Sequence, residues 1–239
     1  MRGFRVFVTA WSCGVAMTAA AQAADPAGAW NPLPDFKKPY RTELISGWYA
    51  RGDLGYRKNN LGFVDAPRPA TSYLVESAWT AGFGGGYKHK WFRSDVTLDY
   101  ANAARFRGDI ATAPEFYKAK TDSFTLLANV YLDLGTWAGF TPYIGAGAGT
   151  TNLRVRQYTN LAMTAGNGVV DTSRWNLSWA YMGGVSYQMS PSMLLDVGYR
   201  YLQLGDAMSG PEPPGYTRRT YFRDVSAQEI RVGLRWMLD

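Results

Sequence analysis

Charged side chains recur at alternate positions inside apolar, glycine-rich segments: Arg51 and Asp53, Asp95 and Asp99, Asp133, Asp196 and Arg200, then Glu229, Arg231 and Arg235. Carboxylates and guanidiniums gathered in one space have three uses: proton transfer, a polar track for solutes, or mutual neutralisation that simply fills the space. Nucleophilic or general-base catalysis needs a further partner, typically a histidine that activates a serine or a water. The chain has one histidine, His89, flanked by Lys88 and Lys90 at an expected turn, and no serine–histidine–acid set assembles around it. A solvated turn residue is the simpler reading of His89, and no catalytic residue is assigned. Cys13 is the one cysteine, so neither a transition-metal site nor any other cofactor is expected. The glycine runs at 82–86 and 145–149 precede no helix and do not complete Gly-x-Gly-x-x-Gly, which removes the phosphate-loop reading. Close packing and curvature in a tight sheet explain them better.

The elements that position these charges follow from a period-2 pattern, since no long segment carries a helical stripe. Trp48, Ala50, Leu54 and Tyr56 alternate with Tyr49, Arg51 and Asp53; Val96, Leu98 and Tyr100 alternate with Asp95, Thr97 and Asp99. Similar alternation runs through 82–88, 124–133, 143–149, 175–188, 193–201 and 229–236. Eight strands leave seven connections. Three are short, near His89–Phe92, Gly135–Phe140 and Met189–Ser192, and four are expected to be loops, over 57–72, 102–120, 153–173 and 205–223. Short turns on one side and long loops on the other is the asymmetry of an outer-membrane barrel with both termini in the periplasm.

The N-terminus agrees with export. Arg2 and Arg5 precede an apolar run from Val6 to Met17 and an Ala21-Gln22-Ala23 site, the pattern of a signal peptide over residues 1–23 cut before Ala24. Cleavage removes Cys13 and leaves 216 residues; the net charge falls from +6 to +4 with the loss of Arg2 and Arg5. So mild a balance is not the footprint of a nucleic-acid binder. Residues 24–46, with Pro26, Pro32, Pro34 and Pro39, read as an extended periplasmic lead-in to a barrel over 47–239.

Alternation alone does not separate a membrane barrel from a soluble one that turns its apolar face inward around a ligand. The aromatic residues decide: Trp48, Tyr56, Trp175, Trp179, Tyr199, Tyr201 and Trp236 share the apolar face, many near strand ends, as a membrane girdle requires. The expected fold is therefore all-β, an eight-stranded antiparallel transmembrane up-and-down β-barrel, whose lumen is just wide enough for side chains to fill. The strand directions put Asp53 beside Arg231 across the closing seam, Asp196 beside Arg235, and Arg200 beside Glu229. With Arg51 these form a lumen charge network, either structural plugging, the favoured reading, or a polar track. The long loops are basic: Arg105, Arg107, Lys118 and Lys120 outweigh Asp109 and Glu115, and Arg57, Lys58, Arg68, Arg154, Arg156 and Arg174 add to them. Ordinary solvated charge is the commoner explanation; the sharper one is contact with lipopolysaccharide phosphates.

Three segments resemble the small Omp25/Omp31-like outer-membrane β-barrels of alphaproteobacteria, often described as porin-family proteins. They are Gly47-Trp48-Tyr49-Ala50-Arg51-Gly52-Asp53-Leu54-Gly55-Tyr56, Thr141-Pro142-Tyr143-Ile144-Gly145-Ala146-Gly147-Ala148-Gly149 and Gln228-Glu229-Ile230-Arg231-Val232-Gly233-Leu234-Arg235-Trp236. The resemblance spans the mature barrel and implies an envelope-structural or surface-exposed protein, partnered by outer-membrane lipid and, during biogenesis, by the barrel-assembly machinery. The porin label does not by itself imply a pore. One departure is the end of the chain: such barrels usually finish on an aromatic residue, whereas here Trp236 and Leu238 carry the apolar phase and Asp239 follows, a displaced assembly signal.

Overall fold

The computed structural model describes residues 46–65, 72–110, 113–160, 171–209 and 220–238. The expected signal peptide, almost all of the 24–46 lead-in, and Arg68 lie outside the described residues. Among the described residues there are ten strands: β1 (Gly47–Asn60), β2 (Phe63–Asp65), β3 (Ser72–Val75), β4 (Ala78–His89), β5 (Phe92–Ile110), β6 (Ala113–Asp133), β7 (Phe140–Asn160), β8 (Thr172–Gln188), β9 (Met193–Met208) and β10 (Tyr221–Leu238). Each long strand pairs antiparallel with its neighbours, and β10 closes on β1 from Trp48↔Leu238 to Asn60↔Ser226. Closure leaves no open edge in the wall at this level, which is what a sheet in lipid requires.

The architecture is the expected eight-stave barrel, because β2 and β3 are not additional staves. β2 continues the line of β1 along β10, and β3 continues the line of β4 along β5. The short connections are tight: His89 pairs with Phe92 across a two-residue turn in which Lys90 takes φ 54°. Gly135 and Gly139, with φ of 108° and 84°, turn the β6–β7 connection, where a side chain would strain the backbone.

Two side-chain phases divide the barrel by height. In the lower part the outward positions are apolar and exposed, Leu177 at 80% and Trp48 at 65%, while the inward positions are charged and buried. Trp48 and Tyr56 lie eight residues apart on β1, about 26 Å along the strand, which a tilt of about 40° reduces to about 20 Å, close to the apolar band of outer-membrane barrels. Edge-on aromatic pairs, Trp48–Tyr87 at 5.3 Å and Tyr56–Trp79 at 5.2 Å, mark its two ends on neighbouring strands.

Above that band the phase inverts. Phe106, Leu153, Val155, Leu202, Leu204 and Phe222 point inward as an apolar cluster, while Arg105, Lys118 and Arg154 face outward. Water surrounds the wall here, so the apolar side chains gain by turning in, as in a soluble barrel. Register shifts between Ala101 and Ala104 on β5 and between Lys118 and Lys120 on β6 accompany the change.

This inversion corrects the expected loops. Residues 102–110 and 113–120 are strand, as are 153–160, 172–173, 205–208 and 221–223. An alternation whose apolar face looks inward does not read as a continuation of one whose apolar face looks at lipid. Arg57, expected in the first loop, lies in β1 and is buried at 1% exposure.

Candidate functional site

Inward positions of the lower barrel carry seven cations (Lys88, Arg51, Arg57, Arg93, Arg200, Arg231, Arg235) and six carboxylates (Asp53, Asp95, Asp99, Asp133, Asp196, Glu229) among the described residues. A β-strand delivers alternate side chains to one face, so Tyr49, Arg51, Asp53 and Arg57 of β1 all enter the lumen. Glycines on neighbouring strands keep room for them. A Cβ at Gly233 would collide with the Asp53 carboxylate, and one at Gly55 would lie 2.5 Å from Glu229 Oε1.

Three tiers of ion pairs cross the lumen. The lowest holds Asp133 between Lys88 and Arg93, with Arg93 Nε 2.8 Å from Asp133 Oδ1 and its guanidinium over the rings of Tyr131 and Tyr143 at 4.8 and 4.7 Å. Arg235 lies 3.0 Å from Asp196, and Ser186 donates to the same Asp196 oxygen. In the middle tier Arg51 holds Asp53 at 2.7 Å and Asp95 at 3.0 Å, and donates to Tyr131 Oη across the barrel at 3.1 Å. Asp95 also accepts from Tyr49 Oη at 3.0 Å and from Asn129 Nδ2 at 2.8 Å.

The upper tier is the densest. Glu229 accepts from Arg200 at 2.9 Å, from Arg57 at 3.2 Å and from Thr80 at 2.6 Å, and lies 3.8 Å from Arg231 Nε. Asp99 receives Arg200 and Arg231, each at 2.7 Å, and Arg231 reaches Asp53 at 3.2 Å. Arg200 stands on β9 and Asp99 on β5, four staves apart in a ring of eight, so this pair spans the diameter. Arg57 of β1 donates to Ser123 of β6 at 3.2 Å, a second bridge across the lumen.

The structure thus brings together the three pairs expected from strand direction, Asp53–Arg231, Asp196–Arg235 and Arg200–Glu229. It adds partners that sequence reading missed. Arg57 falls in a segment that reads as loop, Lys88 ends the polar face of the second strand beside a turn, and Arg93 carries no sequence-based role. Their signal was present in phase: 51, 53, 55 and 57 share parity on β1, as do 93, 95, 97 and 99 on β5.

Trp48, Tyr56, Trp175, Trp179, Tyr199 and Trp236 are exposed on the outer wall, and Tyr201 shares that face, 5.7 Å from Trp179. Arg105, Arg107, Lys118 and Lys120 stand on strands rather than in a loop, with Arg105 opposite Lys120 and Arg107 opposite Lys118. They line an open outward groove with Gln157 and Thr159 of β7. Arg107 lies 3.6 Å from Glu76. Like charges directly opposite on paired strands are unfavourable. No cluster of metal-ligating side chains occurs among the described residues, and His89 is exposed at the β4–β5 turn.

The family profile of the outer membrane protein beta-barrel domain matches residues 11–237. An uncharacterized protein of Brucella suis biovar 1 is 28% identical over 94% of this chain and 95% of its own. Two solved barrels share the fold: Neisserial surface protein A, with TM-score 0.53 and 19% identity over 81% of this chain and 99% of its own, and OprG of Pseudomonas aeruginosa, with TM-score 0.53 and 17% identity over 80% and 97%.

Proposed function

The chain belongs to the outer membrane protein beta-barrel domain family, and on that premise we propose that it is a closed, non-enzymatic barrel of the Omp25/Omp31-like kind with a structural and surface-interaction role in the cell envelope. The observation that carries this reading is the lumen bridged by paired side chains, above all Arg200–Asp99 across its diameter. Charges held by one another are poor carriers of solute, because each passing ion must displace a buried pair. In this reading residues 1–23 are the export signal, residues 24–46 are the periplasmic lead-in, and both barrel termini lie in the periplasm on the side of the short turns.

The surface role rests on the outward basic groove. Lipopolysaccharide phosphates lying between Arg105 and Lys120 and between Arg107 and Lys118 would relieve the repulsion of two like-charged cross-strand pairs. The barrel-assembly machinery is the remaining partner, met during insertion.

A narrow porin-like channel for small solutes, with a preference for anions, is the competing reading, favoured by the excess of one cation in the lumen and by the side chains of Arg51 and Arg231, 7% and 11% exposed. Single-channel recording of the refolded barrel in planar bilayers separates the two. A silent, heat-modifiable, inserted protein is the expected result. Reproducible steps whose ion selectivity shifts when Arg231 and Arg235 are neutralised would replace the closed-barrel reading with the channel.

A further inference from the structure

Above the ion-pair tiers the barrel interior contains a cavity lined by Leu61, Val75, Ala104, Phe106, Leu153 and Leu204, with Arg57 at its floor. About 520 Å³ is free of atoms, mouth included, while only about 40 Å³ has room for the centre of a water molecule, so the space is narrow. Its walls are mainly apolar although water surrounds the barrel at this height, with Thr121, Ser123 and the Asp122 carboxylate, paired to Arg156 at 2.7 Å, on one side, and the paired charges beneath it close the way down the lumen.

In the wall beside this cavity adjacent staves lose their ladder, as β8 and β9 do above Trp179↔Gln203. Pairing of β1 with β4 ends at Arg57↔Ala78; above it β2 pairs with β10 and β3 with β5, and no ladder joins β2 to β3 among the described residues. Among the described residues side chains bridge the gap: Asn59 Nδ2 donates to the Glu76 carbonyl at 3.3 Å, and Tyr73 Oη to the Gly62 carbonyl at 3.1 Å. Asn59 and Leu61 on one lip and Val75 and Ala78 on the other all line the cavity, so the slit is its side door. Outside, Lys58 and Arg105 are exposed on the flanking strands, Glu76 on the slit is paired with Arg107 at 3.6 Å, and Asn59 and Asn102 supply amides to the cavity lining.

We propose that this cavity is a binding site for a single unbranched alkyl chain, that of a fatty-acid anion, which enters through the slit between β1 and β4 and leaves its carboxylate at the basic, amide-lined mouth. Narrowness selects a linear chain over a ring system, and the polarity of the mouth selects an anionic amphiphile over an alkane. Arg105 and Phe106 also border the outer groove, but Lys58 and the rest of the cavity wall do not, so the site needs no lipopolysaccharide in that groove.

The test uses the full barrel in lipid nanodiscs, with decanoate as probe and methyl-resolved NMR as readout. Decanoate is expected to shift Leu153, Leu204 and Val75 saturably, while adamantane-1-carboxylate, too wide for the cavity, leaves them unmoved. Ala104→Leu, which fills the cavity, is expected to weaken binding at least tenfold. Should that variant fail to show heat-modifiable folding, Asn59→Cys with Glu76→Cys serves instead: Cys13, the one native cysteine, belongs to the expected signal peptide, and the oxidised pair is expected to slow entry at least tenfold until reduced. Shifts confined to lipid-facing Leu54 and Leu234 would mean that decanoate merely dissolves in the bilayer, and would overturn the proposal. So would equal binding of adamantane-1-carboxylate, unchanged affinity in a folded Ala104→Leu barrel, or unchanged entry through the oxidised slit.

Discussion

Replacing Glu229 by glutamine keeps the shape of the upper tier and removes its central negative charge. Glu229 lies 2.9, 3.2 and 3.8 Å from the guanidiniums of Arg200, Arg57 and Arg231. At an effective dielectric of about 20, each contact at about 4 Å is worth about 4 kcal/mol before desolvation, and desolvation offsets most of that in the intact network. In the variant the offset is lost: three arginines remain buried with only Asp99 and Asp53 to share. The expected cost is about 3–5 kcal/mol, the range found when one partner of a buried pair is removed. Reversible unfolding in urea from lipid vesicles, followed by tryptophan fluorescence, measures it. Adding Arg57→Met to Glu229→Gln takes away one uncompensated cation and is expected to recover part of the loss, since Arg200 and Arg231 keep Asp99. A loss below about 1 kcal/mol for Glu229→Gln, or a double variant whose loss equals the sum of the two single ones, would refute the view of the tier as one coupled unit.

Three further outcomes follow from the geometry. Leu202, fully buried in the upper interior, is expected to cost about 2–5 kcal/mol on replacement by alanine. Leu177→Ala on the outer wall should leave the upper apolar cluster intact, so comparing the two in the same vesicles tests the phase inversion directly. Brominated lipids should quench Trp48, Trp79, Trp175 and Trp236, each at least half exposed on the outer wall, when each is the sole tryptophan; failure of all four to respond would place the apolar band elsewhere. Neutralising Arg105, Arg107, Lys118 and Lys120 together should make the envelope more sensitive to chelators and detergent, and unchanged sensitivity would count against lipopolysaccharide bridging.

Local alternation was enough to establish the lower barrel from the sequence. A strand in lipid must show apolar side chains to its surroundings and hide polar ones, so Trp48 to Tyr56, Val96 to Tyr100 and Ile230 to Trp236 declare both face and register. Because the direction and inward phase of each strand fix which charges reach one height, pairs between adjacent staves were legible too, across the closing seam and across β9 and β10. Asp53 with Arg231, Asp196 with Arg235 and Arg200 with Glu229 all lie on strands joined by ladders. Contacts between staves far apart in the ring were not legible. Arg200 meets Asp99, and Arg57 meets Ser123, only because the sheet closes, and no local pattern encodes the far wall. Nor did the pattern reveal the upper wall, where the strands run on through 102–110 and 153–160 with reversed phase. Which side of a strand turns inward depends on whether lipid or water lies outside, and height in the membrane is a property of the assembled barrel.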